Sequence, residues 1–113
     1  MTVNDLINSG VFEVIHAGED LEKNISKVFC CDLLSIAMSK IPEGAAWVTV
    51  MGNINTLAVA TLTDTACIIL AERAAFDLPA LEKAKSESVT VLSTDKPIFD
   101  AALAIHNLLH DTP

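Results

Sequence analysis

Three short stretches, residues 46–51, 66–71 and 89–93, are apolar almost without alternation, and each leads into a helix signal. A strand with one face in solvent alternates apolar and polar residues. Near-continuous runs of this length instead predict burial on both faces, the habit of a parallel sheet layered with helices. Such sheets place binding sites at the carboxyl ends of their strands. Those ends read Met51-Gly52-Asn53, Ala71-Glu72-Arg73 and Ser93-Thr94-Asp95.

The remaining elements follow from caps and spacing. Residues 2–9 predict a short helix, with Thr2 and Asp5 at capping-box spacing and Gly10 as the stop. Residues 11–17 read as a strand, with Val11, Glu13, Ile15 and Ala17 on one face and Phe12, Val14 and His16 on the other. An acidic connector over 18–24 leads to a second strand over 25–30, placed near a sheet edge because Ser26 and Lys27 interrupt it. Asp32 is then expected to cap a helix through Ile41, with Leu33, Leu34, Ile36, Ala37, Met38 and Ile41 as its apolar stripe.

After the run at 46–51, a helix through Leu62 is expected to turn Ile54, Leu57, Ala58 and Leu62 inward. Asp77 caps the next helix, with Pro79 in its first turn and Leu78, Leu81 and Ala84 inward. The last helix has Thr94 or Asp95 as its expected cap and Pro97 in its first turn. It carries Ile98, Phe99, Ala102, Leu103, Ile105 and Leu109 at helical spacing. From residue 32 onward helix and strand alternate. The prediction is an α/β three-layer sandwich on a mainly parallel sheet of about five strands, with right-handed crossovers.

Composition narrows the partners. A chain of 113 residues is read as one domain, 1–113, with enough buried surface for a core without staples. At 51% hydrophobic residues, little polar surface is left to cover the outside. That balance points to a homodimer in which a second subunit covers apolar surface. Fifteen acidic against seven basic residues give a formal net charge of −8, and no Lys/Arg cluster offsets it, which argues against nucleic-acid binding. No window holds eighteen consecutive apolar residues, which argues against a membrane-spanning helix. Without a basic flank and apolar run at the amino terminus, or a disulfide framework among three cysteines, the expected compartment is the cytoplasm.

Catalytic chemistry finds little support. Glycines occur only at 10, 18, 44 and 52, and none begins a P-loop or a dinucleotide fingerprint. Cys31 precedes a predicted helix start, where a thiol can be activated, but a small turn residue is the simpler reading. His106 and His110 share a helix face without a third ligand, so no metal site is assigned. No Ser–His–Asp arrangement is defensible, and no catalytic residue and no cofactor are assigned.

What remains is a polar crown of Gly52, Asn53, Asn55, Arg73, Thr94 and Asp95, the candidate ligand-binding residues. Gly52 permits close backbone approach, Asn53 and Asn55 offer amides, and Arg73 can pair a phosphate or carboxylate. Thr94 and Asp95 stand before the last helix, where Asp95 opposes an anion unless it accepts from a ribose hydroxyl. The competing reading is that Asn53, Asn55, Thr94 and Asp95 only cap helices.

The chain resembles the DRTGG domain family in four places. Val28-Phe29-Cys30-Cys31-Asp32-Leu33-Leu34-Ser35-Ile36-Ala37-Met38 is similar to the opening segment of such domains, where a small residue precedes Asp-Leu-Leu. Trp47-Val48-Thr49-Val50-Met51-Gly52-Asn53-Ile54-Asn55 resembles the strand that leads to the family's Gly-Asp-Arg turn. Cys67-Ile68-Ile69-Leu70-Ala71-Glu72-Arg73 falls where the family has a buried strand ending in Thr-Gly-Gly, and Val89-Thr90-Val91-Leu92-Ser93-Thr94-Asp95 resembles its closing strand.

The resemblance implies a fold like the amino-terminal domain of HPr kinase/phosphorylase. It also implies a regulatory rather than catalytic role. Related domains accompany adenine-nucleotide control in some pyrophosphatases and dimerise; stand-alone copies lie beside redox and signalling proteins. The expectation is therefore a non-enzymatic homodimeric module that binds a small anionic, adenine-nucleotide-like ligand, a protein partner in redox or phosphorylation signalling, or both. The alternative is a purely structural, protein-binding dimer with a decayed ligand site. The departures bear on the ligand: Gly52-Asn53-Ile54 loses both charges of Gly-Asp-Arg, and Ala71-Glu72-Arg73 loses both glycines of Thr-Gly-Gly.

Overall fold

A computed structural model describes residues 1–110; the single-domain reading of 1–113 extends to three residues outside that range. The elements run α1 (Val3–Asn8), β1 (Glu13–His16), β2 (Val28–Cys30), α2 (Leu34–Lys40), β3 (Ala46–Thr49), α3 (Ile54–Leu62), β4 (Cys67–Leu70), α4 (Leu78–Glu87), β5 (Val91–Ser93) and α5 (Ile98–His110). The five strands form one sheet in the order β1-β5-β4-β3-β2. β2 through β5 are parallel; β1 closes the sheet antiparallel to β5, with a register shift between Val14 and His16. No helix among the described residues is long and apolar enough to cross a membrane.

Side-chain parity along the strands divides the core into two layers. Ala46, Val48, Cys67, Ile69 and Leu92 point to one face, where they pack with Val3 and Leu6 of α1 and Ala101 and Ile105 of α5. Trp47, Ile68, Leu70 and Val91 point to the other, where they meet Ala37 of α2, Leu57 and Ala60 of α3, and Ala80 and Ala84 of α4. β3 and β4 are buried at every position, as unbroken apolar runs require. Each large aliphatic side chain so buried contributes about 1.5–3 kcal/mol relative to exposure. The result is the three-layer α/β sandwich.

The route of the chain fixes which helix covers which face. From β2 to β5 it steps across the sheet in one direction, so the three crossover helices share one face. α5 leaves β5 for the opposite face and packs there with α1.

Several local expectations are corrected. Asp32 does not cap α2: Leu33 occupies the cap position without a side-chain bond. The Asp32 carboxylate instead accepts from the Thr49 hydroxyl at 2.6 Å and the Val50 N–H at 2.9 Å. Neither Thr94 nor Asp95 caps α5, because Pro97 stands immediately before it and its carbonyl accepts from the Ala101 N–H at 2.9 Å.

The expected inward faces also shift. In α2 only Ala37 is buried, and Leu33, Ile36 and Met38 are exposed. Ile54 and Leu62 of α3, Leu78 of α4, and Phe99 and Leu103 of α5 are exposed as well. Leu57, Ala84 and Ile105 do face inward as expected, joined by small residues: Thr56 and Ala60, Ala80, and Ala101. At those positions a small side chain lets the helix approach the sheet closely, which a large one would prevent.

Candidate functional site

The loops that leave β4 and β5 run to opposite faces of the sheet, since α4 covers one layer and α5 the other. Divergent loops leave a crevice at the carboxyl ends of two adjacent parallel strands, the usual ligand position in open α/β sheets. A cavity of about 610 Å³ lies there. Its walls come from Arg73, Ala74 and Phe76 after β4, from Ser93, Thr94 and Asp95 at the end of β5, and from residues 10–13 and 15 of the β1 segment. β1 reaches this end because it is antiparallel, with Glu13 paired to Ser93.

Backbone hydrogen bonds tie the two loops together beneath the cavity. The Thr94 N–H donates to Leu70 O at 2.9 Å, and Thr94 O accepts from the Arg73 N–H at 3.0 Å. The Glu72 N–H donates to Lys96 O at 2.9 Å. Making these bonds puts Glu72 and Arg73 in succession in the left-handed region, with φ of 58° and 55°. A side chain there costs roughly 1–2 kcal/mol per residue. The loop bonds and the Ala74 N–H to Ala71 O bond at 3.0 Å hold the turn in place.

Charge at the cavity is mixed. Arg73 Nη2 lies 3.6 Å from Asp95 Oδ2, and the two side chains are 82% and 69% exposed. Glu13 adds a second carboxylate to the wall. The Thr94 hydroxyl accepts from the Lys96 N–H at 3.1 Å, which leaves its own proton free to donate. Apolar wall is supplied by Phe12 and by Phe76, each packed into a different core layer. A cavity lined by aromatic side chains, a cation, a hydroxyl and two carboxylates offers partners for both a planar and an anionic group.

The six crown residues therefore separate into two sets. Arg73, Thr94 and Asp95 share the cavity, and Gly52, Asn53 and Asn55 are not among its lining residues. Asn53 caps α3, its side-chain oxygen accepting from the Asn55 N–H at 3.0 Å and the Thr56 N–H at 3.2 Å. The Asn55 side chain is exposed. Close approach at Gly52 is taken up within the chain, by the carbonyl of Ala75. Sequence reasoning missed Glu13 and Phe12, because nothing local says that β1 lies beside β5. It also missed Phe76, although an apolar residue just before the Asp77 cap is a recognisable helix-entry signal.

The other reactive groups have structural surroundings. Cys67 is fully buried in β4, and burial pushes its thiol up to about 12. Cys30, exposed at the end of edge strand β2, has its thiol raised by desolvation first and then by the Asp32 and Cys31 charges. Cys31 Sγ contacts Leu33 O at 3.3 Å and receives the Leu33 N–H at 3.5 Å, a turn-closing role. The rings of His106 and His110 lie 4.3 Å apart on α5. Among the described residues no three His, Cys, Asp or Glu side chains are placed to hold a metal ion.

No protein-family model matches the chain, and neither does any curated protein. Among solved structures it is similar to the CBS and DRTGG domains of the regulatory region of Clostridium perfringens pyrophosphatase, complexed with the activator diadenosine tetraphosphate. The TM-score is 0.75 at 17% identity, over 92% of this chain and 45% of that one. The chain thus spans less than half the length of that structure. The likeness shows a shared fold, and it supports the DRTGG-like architecture that the four sequence segments suggest.

Proposed function

We propose that this chain is a non-enzymatic regulatory module that binds a small anionic, adenine-nucleotide-like ligand and acts as a homodimer. The observation that carries the reading is the cavity between the diverging β4 and β5 loops. It offers Arg73 for an anionic group and the Phe76 side for a planar one. Thr94 and Asp95 complete its polar wall. The similar fold belongs to a regulatory region crystallised with a nucleotide activator, which supports the ligand class. A ligand that prefers one arrangement of the dimer would shift its population, and that shift is the regulatory output.

The test is titration of the purified protein with adenine nucleotides by calorimetry, with light-scattering mass measured in parallel. Saturable heat that disappears in Arg73→Gln, together with a dimer mass, is the expected result. Absence of heat with every adenine nucleotide removes the ligand half of the proposal, and a monomer mass removes the dimer half.

A second reading is favoured by a different observation. Leu33, Ile36, Val50 and Ile54 are exposed apolar residues around the carboxyl end of β3, where Gly52 and Asn53 already serve the chain itself. A purely protein-binding dimer would use that surface and leave the cavity without a ligand. Substitutions on α2 would then alter mass or partner capture while nucleotides have no effect.

A further inference from the structure

The Arg73–Asp95 pair gives the cavity a charge preference, an inference that rests on the ligand-binding reading above. Arg73 is the cationic side chain among the lining residues, against the carboxylates of Glu13 and Asp95. Its guanidinium lies beside one of them, 3.6 Å from Asp95 Oδ2. The Arg73 N–H is bonded to Thr94 O, so residue 73 is tied directly to the neighbour of Asp95. The turn therefore keeps the backbones of Arg73 and Asp95 adjacent, within reach of the 3.6 Å side-chain contact.

We propose that Asp95 is a built-in competitor for Arg73, so that the cavity accepts a ligand with a single phosphate-like group and disfavours polyanions. An entering anion must replace the Asp95 carboxylate at the guanidinium, and each further negative charge then faces Glu13 and Asp95 with no second cation among the lining residues. Both side chains are well exposed, so the competing ion pair is weak and can be displaced. The penalty on extra charge is a field effect of the whole wall and is reduced by salt. In this arrangement a nucleoside monophosphate binds more tightly than the triphosphate of the same base.

The experiment is calorimetric titration of AMP and ATP into the wild type, Asp95→Asn and Arg73→Gln, with a thermal melt confirming that each variant folds. Wild type should prefer AMP. Asp95→Asn should bind AMP about two- to fivefold more tightly, the range expected for loss of an exposed competing ion pair. It should gain more for ATP than for AMP, and the gain should shrink at high salt. Arg73→Gln should lose both nucleotides. If wild type binds but prefers ATP, or if Asp95→Asn binds no more tightly, the competitor role is wrong and the ligand-binding reading survives. If neither wild type nor Asp95→Asn takes up either nucleotide, the ligand-binding reading falls and this inference falls with it.

Discussion

The Asp32 carboxylate, one residue beyond the Cys30–Cys31 pair, accepts the hydroxyl proton of Thr49 at 2.6 Å and ties the end of β2 to the end of β3. The same oxygen takes the Val50 N–H at 2.9 Å. Thr49 is fully buried, so its hydroxyl proton depends on this acceptor, while its oxygen accepts from the Met51 N–H at 3.2 Å. Hydrogen bonds to a charged group contribute about 1.5–3 kcal/mol, and Asp32→Ala should cost an amount in that range by urea unfolding. Asp32→Asn keeps an acceptor and should recover part of the loss. If Asp32→Ala instead costs only a few tenths of a kcal/mol (roughly an exposed surface change), the staple is unimportant.

Gly52 has no tolerance for a side chain. A Cβ there would lie 2.0 Å from the carbonyl oxygen of Ala75, a backbone atom that cannot rotate away. The β4–α4 loop would have to move, and that loop carries Arg73 and Phe76 into the cavity wall. Gly52→Ala should therefore cost about 1–3 kcal/mol, the usual range for overpacking. It should also weaken nucleotide binding, although Gly52 lies outside the cavity.

Asn53 separates a capping role from a ligand role. Its side chain is already engaged with the Asn55 and Thr56 N–H groups. Asn53→Ala should lower stability by about 1 kcal/mol, as lost caps do, and leave calorimetric binding of AMP unchanged. A loss of binding larger than the loss of stability explains would return Asn53 to the ligand site.

The layered architecture was legible because unbroken apolar runs at β3, β4 and β5 can be satisfied only by cover on both sides. The helix faces were much less legible. Ala37, Leu57 and Ile105 pack inward as read. Leu33, Ile54, Leu78 and Phe99 read as core by residue type but are exposed, while Thr56, Ala80 and Ala101 share the inward packing. Hydrophobicity reports how much a residue gains from burial, but close approach of helix to sheet is decided by how small it is. Asp32 shows the same limit. Its local pattern is that of a helix cap, and only the position of Thr49 in the neighbouring strand gives its carboxylate another use.

The candidate site was half legible for a related reason. Arg73, Thr94 and Asp95 follow strands whose order the alternating pattern implies. The β1 wall depends on a four-residue antiparallel strand joining the far edge, a choice made by tertiary packing rather than by any local signal.

Cys67 predicts a specific alkaline instability. Its thiol has an ordinary value of 9.0 and is pushed up to about 12 in the folded chain, where burial disfavours the thiolate. The folded state holds this proton more tightly than the unfolded state does. The contribution to stability is therefore complete below pH 9 and is lost as pH rises from there toward 12. One proton of difference gives a slope of about 1.4 kcal/mol per pH unit within that window. Denaturant midpoints measured across it should fall more steeply for wild type than for Cys67→Ala. Thiol titration at neutral pH should find Cys67 unreactive until the chain unfolds.

The two left-handed residues of the β4–α4 loop, Glu72 and Arg73, give the most direct check on the loop that builds the site. At most positions Ala is more stable than Gly, because glycine loses more backbone freedom on folding. At φ of 58° the order should invert, since Ala at Glu72 would carry the Cβ clash that Gly escapes. Glu72→Gly should unfold at higher denaturant than Glu72→Ala, by about 1 kcal/mol. The Glu72 N–H bond to Lys96 O is unaffected by either change, so the comparison isolates backbone conformation. Arg73→Gly against Arg73→Ala should show the same inversion at φ of 55°, with both variants losing the ligand cation. If Ala proves the more stable residue at both positions, the turn does not adopt this conformation. The placement of Arg73 beside Asp95 would then fall, because that turn is what sets it.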